Sequence, residues 1–224
     1  WQWEELPDGI RFSLYSPDGE GGFPGNIRVI TDYRFNEDNE LSVRHYAETD
    51  CATYINMTNH AYFNLCGKGK KITEHRLHIP ADRILDTTPA FIPTGKRMNV
   101  KNTPFDFTSL KPIGTDLYAD HEQLLWNKGY NHCYILKDEI SVEMLEAASL
   151  YEPVTGRNMT VMTDLPAVLL YTAGYYERPD TAVCLETQFY PDTPSHSDFP
   201  SCLVLPEKAY EHCTLFHFQV QKEE

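Results

Sequence analysis

The chain has 224 residues, 41% of them hydrophobic and 23% charged, with 14 Tyr and 11 Phe, a mix that suits pleated sheets in a globular protein. Asp and Glu outnumber Lys and Arg by 33 to 19, a formal charge of −14. That balance argues against nucleic acid or an anionic membrane as partner, since both select clustered positive charge. No run reaches the apolar length of a membrane span and no secretory signal opens the chain, so a cytoplasmic protein is expected.

Taken in chain order, short strand-like runs separated by turn signals fill most of the sequence. "IRFSLYS" from Ile10 is followed by the loop "PDGEGGFPGN", then "IRVITDYRF", the turn "NEDNE" and "LSVRHYAE". The stretch "YINMTNHAYFNL" (Tyr54 to Leu65) alternates. Ile55, Met57, Ala61, Phe63 and Leu65 fall on one side, while Tyr54, Asn56, Thr58, His60, Tyr62 and Asn64 fall on the other. Period-2 alternation predicts a half-buried strand. Its polar side has the character of a cleft floor, with His60 in the middle.

Further on come "HRLHIPADRILDT" and the Pro-containing, irregular "TTPAFIPTGKRMNVKNTPFDF", a long loop of the kind that builds or covers binding sites. "DLYADHEQLLWN" holds at most one short helix. "HCYILKD", the paired runs around "EPVTGRNMTVMTD", then "AVLLYTAG", "AVCLETQFY" and "CTLFHFQVQ" complete the series. Strands at this spacing predict an all-β sandwich or barrel in one domain, residues 1–224.

In "AVCLETQFYPD", Glu186 shares a face with Cys184 and Gln188 between apolar neighbours Val183 and Leu185. A mid-strand carboxylate in such company either lies on a solvated sheet face or serves as a general base facing a cleft. Paired with Glu186, His60 would form an acid–base couple able to deprotonate one oxygen while protonating its neighbour. The bland alternative for His60 is a structural role. The histidines show no metal-ligand spacing, and no P-loop, GxGxxG or GxSxG motif occurs. The six cysteines are scattered without a CxxC pair, which predicts free thiols in a reducing compartment. Two sequons, at Asn56 and Asn158, are read as chance.

"NMTNHAYFNL" and "CLETQFYPD" resemble the two signature stretches of the aldose 1-epimerases, the galactose mutarotases. "SPDGEGGFPGN", "FIPTGK", "TPFDF", "GYNHCYIL", "AVLLYTAG" and "FPSCLVLP" agree in order, from about Ile10 to Phe218. The resemblance implies a large antiparallel β-sandwich of the galactose mutarotase type, incomplete at its N-terminus. It implies an isomerase that interconverts the α and β anomers of an aldohexose such as galactose or glucose. In that chemistry Glu186 removes the C1 hydroxyl proton and His60 protonates the ring oxygen; the ring opens, C1–C2 rotates, and the roles reverse. Asn59, Asn131 and Gln188 are the implied sugar-binding residues. No metal and no organic cofactor is implied, and the expected assembly is a monomer or homodimer.

The sequence also departs from the family pattern. The resemblance begins where about the first third of a family member is already complete, and no "NRI" or "HGG" segment is present; Arg83 in "ADRIL" does not match. Asn131 stands where the family usually carries Asp, and Glu207 stands where Gly is usual. These departures leave a second expectation, a non-catalytic carbohydrate-binding homologue. A third, a purely structural β-sandwich, leaves the polar strand faces unexplained, and an epimerase of phosphorylated hexoses would require a basic cluster near the motifs, where none is evident.

Overall fold

A computed structural model describes residues 1–67, 69–140 and 142–220. The strands are β1 Gln2–Leu6, β2 Gly9–Ser16, β3 Ile27–Phe35, β4 Glu40–Thr49, β5 Thr53–Tyr54, β6 Arg76–His78, β7 Arg83–Thr87 and β8 Pro93–Asn99. They continue as β9 Lys111–Pro112, β10 Asn131–Ile135, β11 Leu145–Glu152, β12 Arg157–Thr163, β13 Ala167–Tyr171, β14 Cys184–Gln188, β15 Leu203–Val204 and β16 Tyr210–Val220. Among the described residues one α-helix, α1, covers Glu122–Asn127, with His121 accepting from the Gln123 N–H as its cap.

A nine-stranded sheet runs in the order β1-β2-β3-β4-β16-β12-β11-β6-β9, and a five-stranded sheet in the order β14-β13-β10-β7-β8. β5 and β15 pair separately. The pairings are antiparallel, as expected of strands punctuated by tight turns. The β3–β4 turn shows the cause locally. The Asn36 side-chain oxygen accepts from the N–H groups of Asp38 and Glu40, and Asn39 takes the left-handed conformation.

The two sheets face each other across one core. Val43, Leu77, Leu150, Met159, Val161 and Phe216 from the larger sheet pack against Ile84, Tyr134, Val168, Leu170 and Leu185 from the smaller. Burying a side chain such as Leu150 contributes about 1.5–3 kcal/mol. The smaller sheet is also covered in part on its other face, where Leu85, Cys133, Ile135 and Ala167 meet Tyr190 and Phe199. This second face carries the site.

The strand expected over Tyr54 to Leu65 is corrected by the structure. Only Tyr54 lies in a strand, and Phe63 makes a single bridge with Val183. The rest is irregular chain, and several of its backbone groups are met by partners other than a continuous ladder. Ile55 N donates to the Cys202 carbonyl and Met57 N to the Tyr210 hydroxyl. Asn56 clamps the Phe189 backbone from both sides, at 2.9 and 3.1 Å. Alternation survives because this segment lies along β14, while side chains substitute for ladder bonds. The irregular stretch after Thr87 likewise contains β8, despite Pro93 and the left-handed Gly95.

Candidate active site

Strand parity builds the floor. In register across β10, β13 and β14, three rows form: Asn131, Tyr171 and Cys184; then Cys133, Leu169 and Glu186; then Ile135, Ala167 and Gln188. Alternate residues of these strands (His132, Tyr134, Val168, Leu170, Leu185) point the other way, into or beside the inter-sheet core. The patch therefore presents an amide, a phenol, a thiol and a carboxylate on the face away from the larger sheet.

The irregular segment crosses the edge of this patch and delivers His60. Its Nε2 lies 3.5 Å from Glu186 Oε1. The two differ in solvation: the His60 side chain is 50% exposed and that of Glu186 only 8%. Burial pushes the Glu186 carboxyl above its ordinary range, and the nearby His60 opposes that rise. The imidazole is held by aromatic contacts, stacked on Tyr62 with ring centroids 5.0 Å apart and edge-on to Tyr171 at 5.9 Å. Asn59 braces the turn before it, accepting from Ala61 N at 2.8 Å and donating to the Tyr33 hydroxyl at 3.2 Å.

An open cleft of about 320 Å³ lies over the pair, lined by His60, Glu186, Asn131, Leu169, Tyr62, Tyr171, Tyr175 and Phe91. Three other grooves are larger, about 640, 570 and 640 Å³, so volume does not select the site. One of them contains His212 beside Asp164 at 3.0 Å, but that carboxylate also accepts from Cys213 N and is committed to the backbone. A second is lined by Trp1, Phe12, Tyr33 and Met57 and holds no carboxylate, and the third, around Asp32 and Arg11, holds no histidine. Among the grooves of the described residues, only the small cleft pairs a buried carboxylate with an accessible imidazole.

Of the five residues singled out in the sequence, His60, Glu186 and Asn131 meet in this cleft. Gln188 is 8% exposed, one row further along β14, and does not line it. Asn59 spends both ends of its amide on Ala61 and Tyr33. Sequence reasoning missed Leu169, Tyr171, Tyr175 and Phe91 as lining residues. Leu169 and Tyr171 were recoverable in principle, since they share the strand face opposite Val168 and Leu170. Phe91 and Tyr175 sit on loops and carried no periodic signal.

The aromatic wall is tied to the fold. The Tyr175 hydroxyl donates to the Trp126 carbonyl, and its ring faces Phe91 at 6.1 Å. Gly174 passes against the backbone carbonyls of Asn127 and Lys128 at the end of α1, where an added Cβ would come within 2.3 Å of the Lys128 oxygen. Among the described residues one group could hold a metal ion: His60, Cys184 and Glu186, whose ligand atoms all lie within 4.8 Å of one another. All six cysteines are free thiols.

Comparison with known proteins adds a lineage. The sequence model of the family described as aldose 1-epimerase matches residues 1–217. The chain is 35% identical over 234 residues to the galactose mutarotase of Bos taurus and 34% identical over 232 residues to that of Rattus norvegicus. It covers 98% of itself and 66% of each relative. It is 32% identical over 221 residues to the aldose 1-epimerase of Escherichia coli K12, covering 93% of itself and 63% of that protein. Among solved structures, the galactose 1-epimerase of Lactobacillus acidophilus superposes with a TM-score of 0.84 at 26% identity, over 99% of this chain and 66% of that one. A Caenorhabditis elegans homologue superposes at 0.85 with 24% identity and supports the fold. The chain thus spans about two-thirds or slightly less of the relatives it matches.

Proposed function

Because the chain belongs to the aldose 1-epimerase family, we propose that it interconverts the α and β anomers of an aldohexose, galactose or glucose, in the His60–Glu186 cleft. The observation that carries the proposal is the 3.5 Å approach of His60 Nε2 to Glu186 Oε1 in an open polar cleft. Anomerisation needs a base for the C1 hydroxyl and an acid for the ring oxygen, two atoms bonded to the same carbon. Two proton-transfer groups this close can serve both.

In the forward step the Glu186 carboxylate takes the hydroxyl proton as the C1–ring oxygen bond breaks, and protonated His60 gives its proton to that oxygen. The open-chain aldehyde rotates about C1–C2. Closure runs the transfers in reverse: neutral His60 reclaims the proton from the C5 hydroxyl and Glu186 returns its own to the carbonyl oxygen on the opposite face. The desolvated carboxylate is a stronger base than a free one, which helps it take a hydroxyl proton. Asn131, at the cleft edge, hydrogen-bonds a sugar hydroxyl, and residues 1–224 act as one domain around the shared core. Free thiols fit a reducing compartment such as the cytoplasm.

Polarimetry tests the proposal: fresh α-D-galactose and α-D-glucose should approach anomeric equilibrium faster with the protein than with buffer. A second reading, sugar binding without turnover, is favoured by Asn131, because a neutral amide accepts weaker bonds than a carboxylate. Saturable galactose binding by calorimetry with no acceleration would select it.

A further inference from the structure

We propose that His60, Cys184 and Glu186 form an inhibitory site for a thiophilic divalent cation such as Zn²⁺, which takes the same lone pairs that the sugar reaction uses. The inhibition rests on the epimerase reading above; the binding does not. The ligand atoms lie within 4.8 Å of one another, and the His60 nitrogen and Glu186 oxygen are already 3.5 Å apart. Bonds of about 2.0–2.3 Å to N, O and S place neighbouring ligands of a tetrahedral ion roughly 3.5 Å apart. The histidine–carboxylate edge therefore needs little adjustment.

Closing the set falls to His60, which is half-exposed and carried on irregular chain without a ladder. Cys184 and Glu186 are fixed two residues apart on one face of β14. Their spacing is set by the strand and not by a mobile loop.

The donor set also selects the ion. One imidazole nitrogen, one sulfur and one carboxylate suit Zn²⁺ or Cd²⁺, whereas Mg²⁺ and Ca²⁺ prefer several oxygens. On binding, the Cys184 thiol releases its proton to solvent and the thiolate bonds the metal. With the Glu186 carboxylate, this supplies two negative charges against two positive ones. The fourth position faces the open cleft and is available to water. The His60 nitrogen that faces Glu186 then has no lone pair or proton to exchange with a sugar, and the metal-bound Glu186 carboxylate is a weaker base.

Cys184 is absent from the proton-transfer scheme, which makes it the discriminating residue. Cd²⁺ added to the protein should produce an ultraviolet charge-transfer absorption from a cadmium–thiolate bond, larger in the unaltered protein than in Cys184→Ala. The other five cysteines contribute equally to both. Zn²⁺ should slow mutarotation and EDTA should restore it, with Mg²⁺ ineffective. Measured against its own metal-free rate, Cys184→Ala should need at least about tenfold more Zn²⁺ for the same fractional inhibition. Should the alanine variant fold poorly by circular dichroism, Cys184→Ser keeps the volume and weakens the ligand. Equal cadmium absorption in variant and parent overturns the site, whether or not the protein turns over sugar. A difference in absorption with equal Zn²⁺ sensitivity overturns the inhibitory role. If no preparation accelerates mutarotation, the epimerase reading fails, while the cadmium difference still decides the binding site.

Discussion

Leu169 stands directly opposite Glu186 in the β13–β14 ladder, so the carboxylate's cross-strand neighbour is a hydrocarbon and not a cation. The next residue in that row is Cys133, itself 3% exposed. This surround is the reason the Glu186 carboxyl is held above its ordinary range. In the proposed reaction the base is the ionised form, so kcat/KM for mutarotation should fall on acidification with a midpoint above that of a free glutamate. Leu169→Gln, which offers an amide donor to the ionised form, should move that limb to lower pH. An unmoved limb would mean that Leu169 does not set the base.

Asn131 begins the row beside it, next to Tyr171 and Cys184. Asn131→Asp should lower KM for galactose several-fold, since charge-assisted hydrogen bonds are about twice as strong as neutral ones. It should also move the acidic limb upward, because a second carboxylate in the cleft disfavours ionisation of Glu186. Initial rates across sugar concentration and pH read both effects at once.

Gly174 is needed for close approach. Any side chain there meets the Lys128 and Asn127 carbonyls. Gly174→Ala should cost roughly 1–3 kcal/mol, within the overpacking range, and raise KM more than it lowers kcat. The strain displaces Tyr175 from the cleft wall while leaving β14 in place. Urea unfolding and steady-state kinetics on the same preparation separate the two effects.

Buried histidines make the fold acid-labile: burial lowers the pKa of His45, His75 and His132 alike. His45, bonded to Thr31 at 3.0 Å, is held neutral down to about 4 by burial and then by nearby His212. His132 accepts from Asn131 N at 3.0 Å and is held down to about 3, again chiefly by burial. Both begin from an ordinary value of 6.5. Below 6.5 the unfolded chain takes protons that the folded one refuses, so stability rises with pH across this window. It is complete above 6.5 and falls as the pH drops toward 4 and then 3. Each site contributes on the order of a few kcal/mol at about 1.4 kcal/mol per pH unit. Urea midpoints at pH 7, 5 and 4 should fall steadily, and His45→Gln should flatten the trend.

The sheet-forming runs were legible because hydrophobic alternation follows which face is buried. Ile27–Phe35 appears where the sequence put it, and the run Cys213–Gln221, whose last residue lies outside the described residues, falls within or beside a strand that begins earlier, at Tyr210. β1 was missed because four of its five residues are exposed, leaving no buried face to generate a pattern. β8 was missed because Pro93 and Gly95 read as loop signals, although both fit an edge strand of the smaller sheet. At the site, periodicity gave the shared face of Cys184, Glu186 and Gln188. It could not give the lateral order β14-β13-β10, which sets Leu169 rather than Gln188 at the centre of the cleft. The approach of His60 to Glu186 came only through the family resemblance, since their contact spans 126 positions of chain (186 − 60) and depends on Asn56 clamping Phe189.

The central claim is that Glu186 acts as a base against a sugar hydroxyl, and one comparison tests it most directly. Fresh α-D-galactose is followed polarimetrically with the protein and with Glu186→Gln, both shown to share the same circular dichroism and thermal midpoint. The protein should accelerate the approach to equilibrium clearly, and the variant's catalysed rate should be lower by about 10²–10⁴. Equal acceleration by the two would contradict it and move the chemistry away from this cleft.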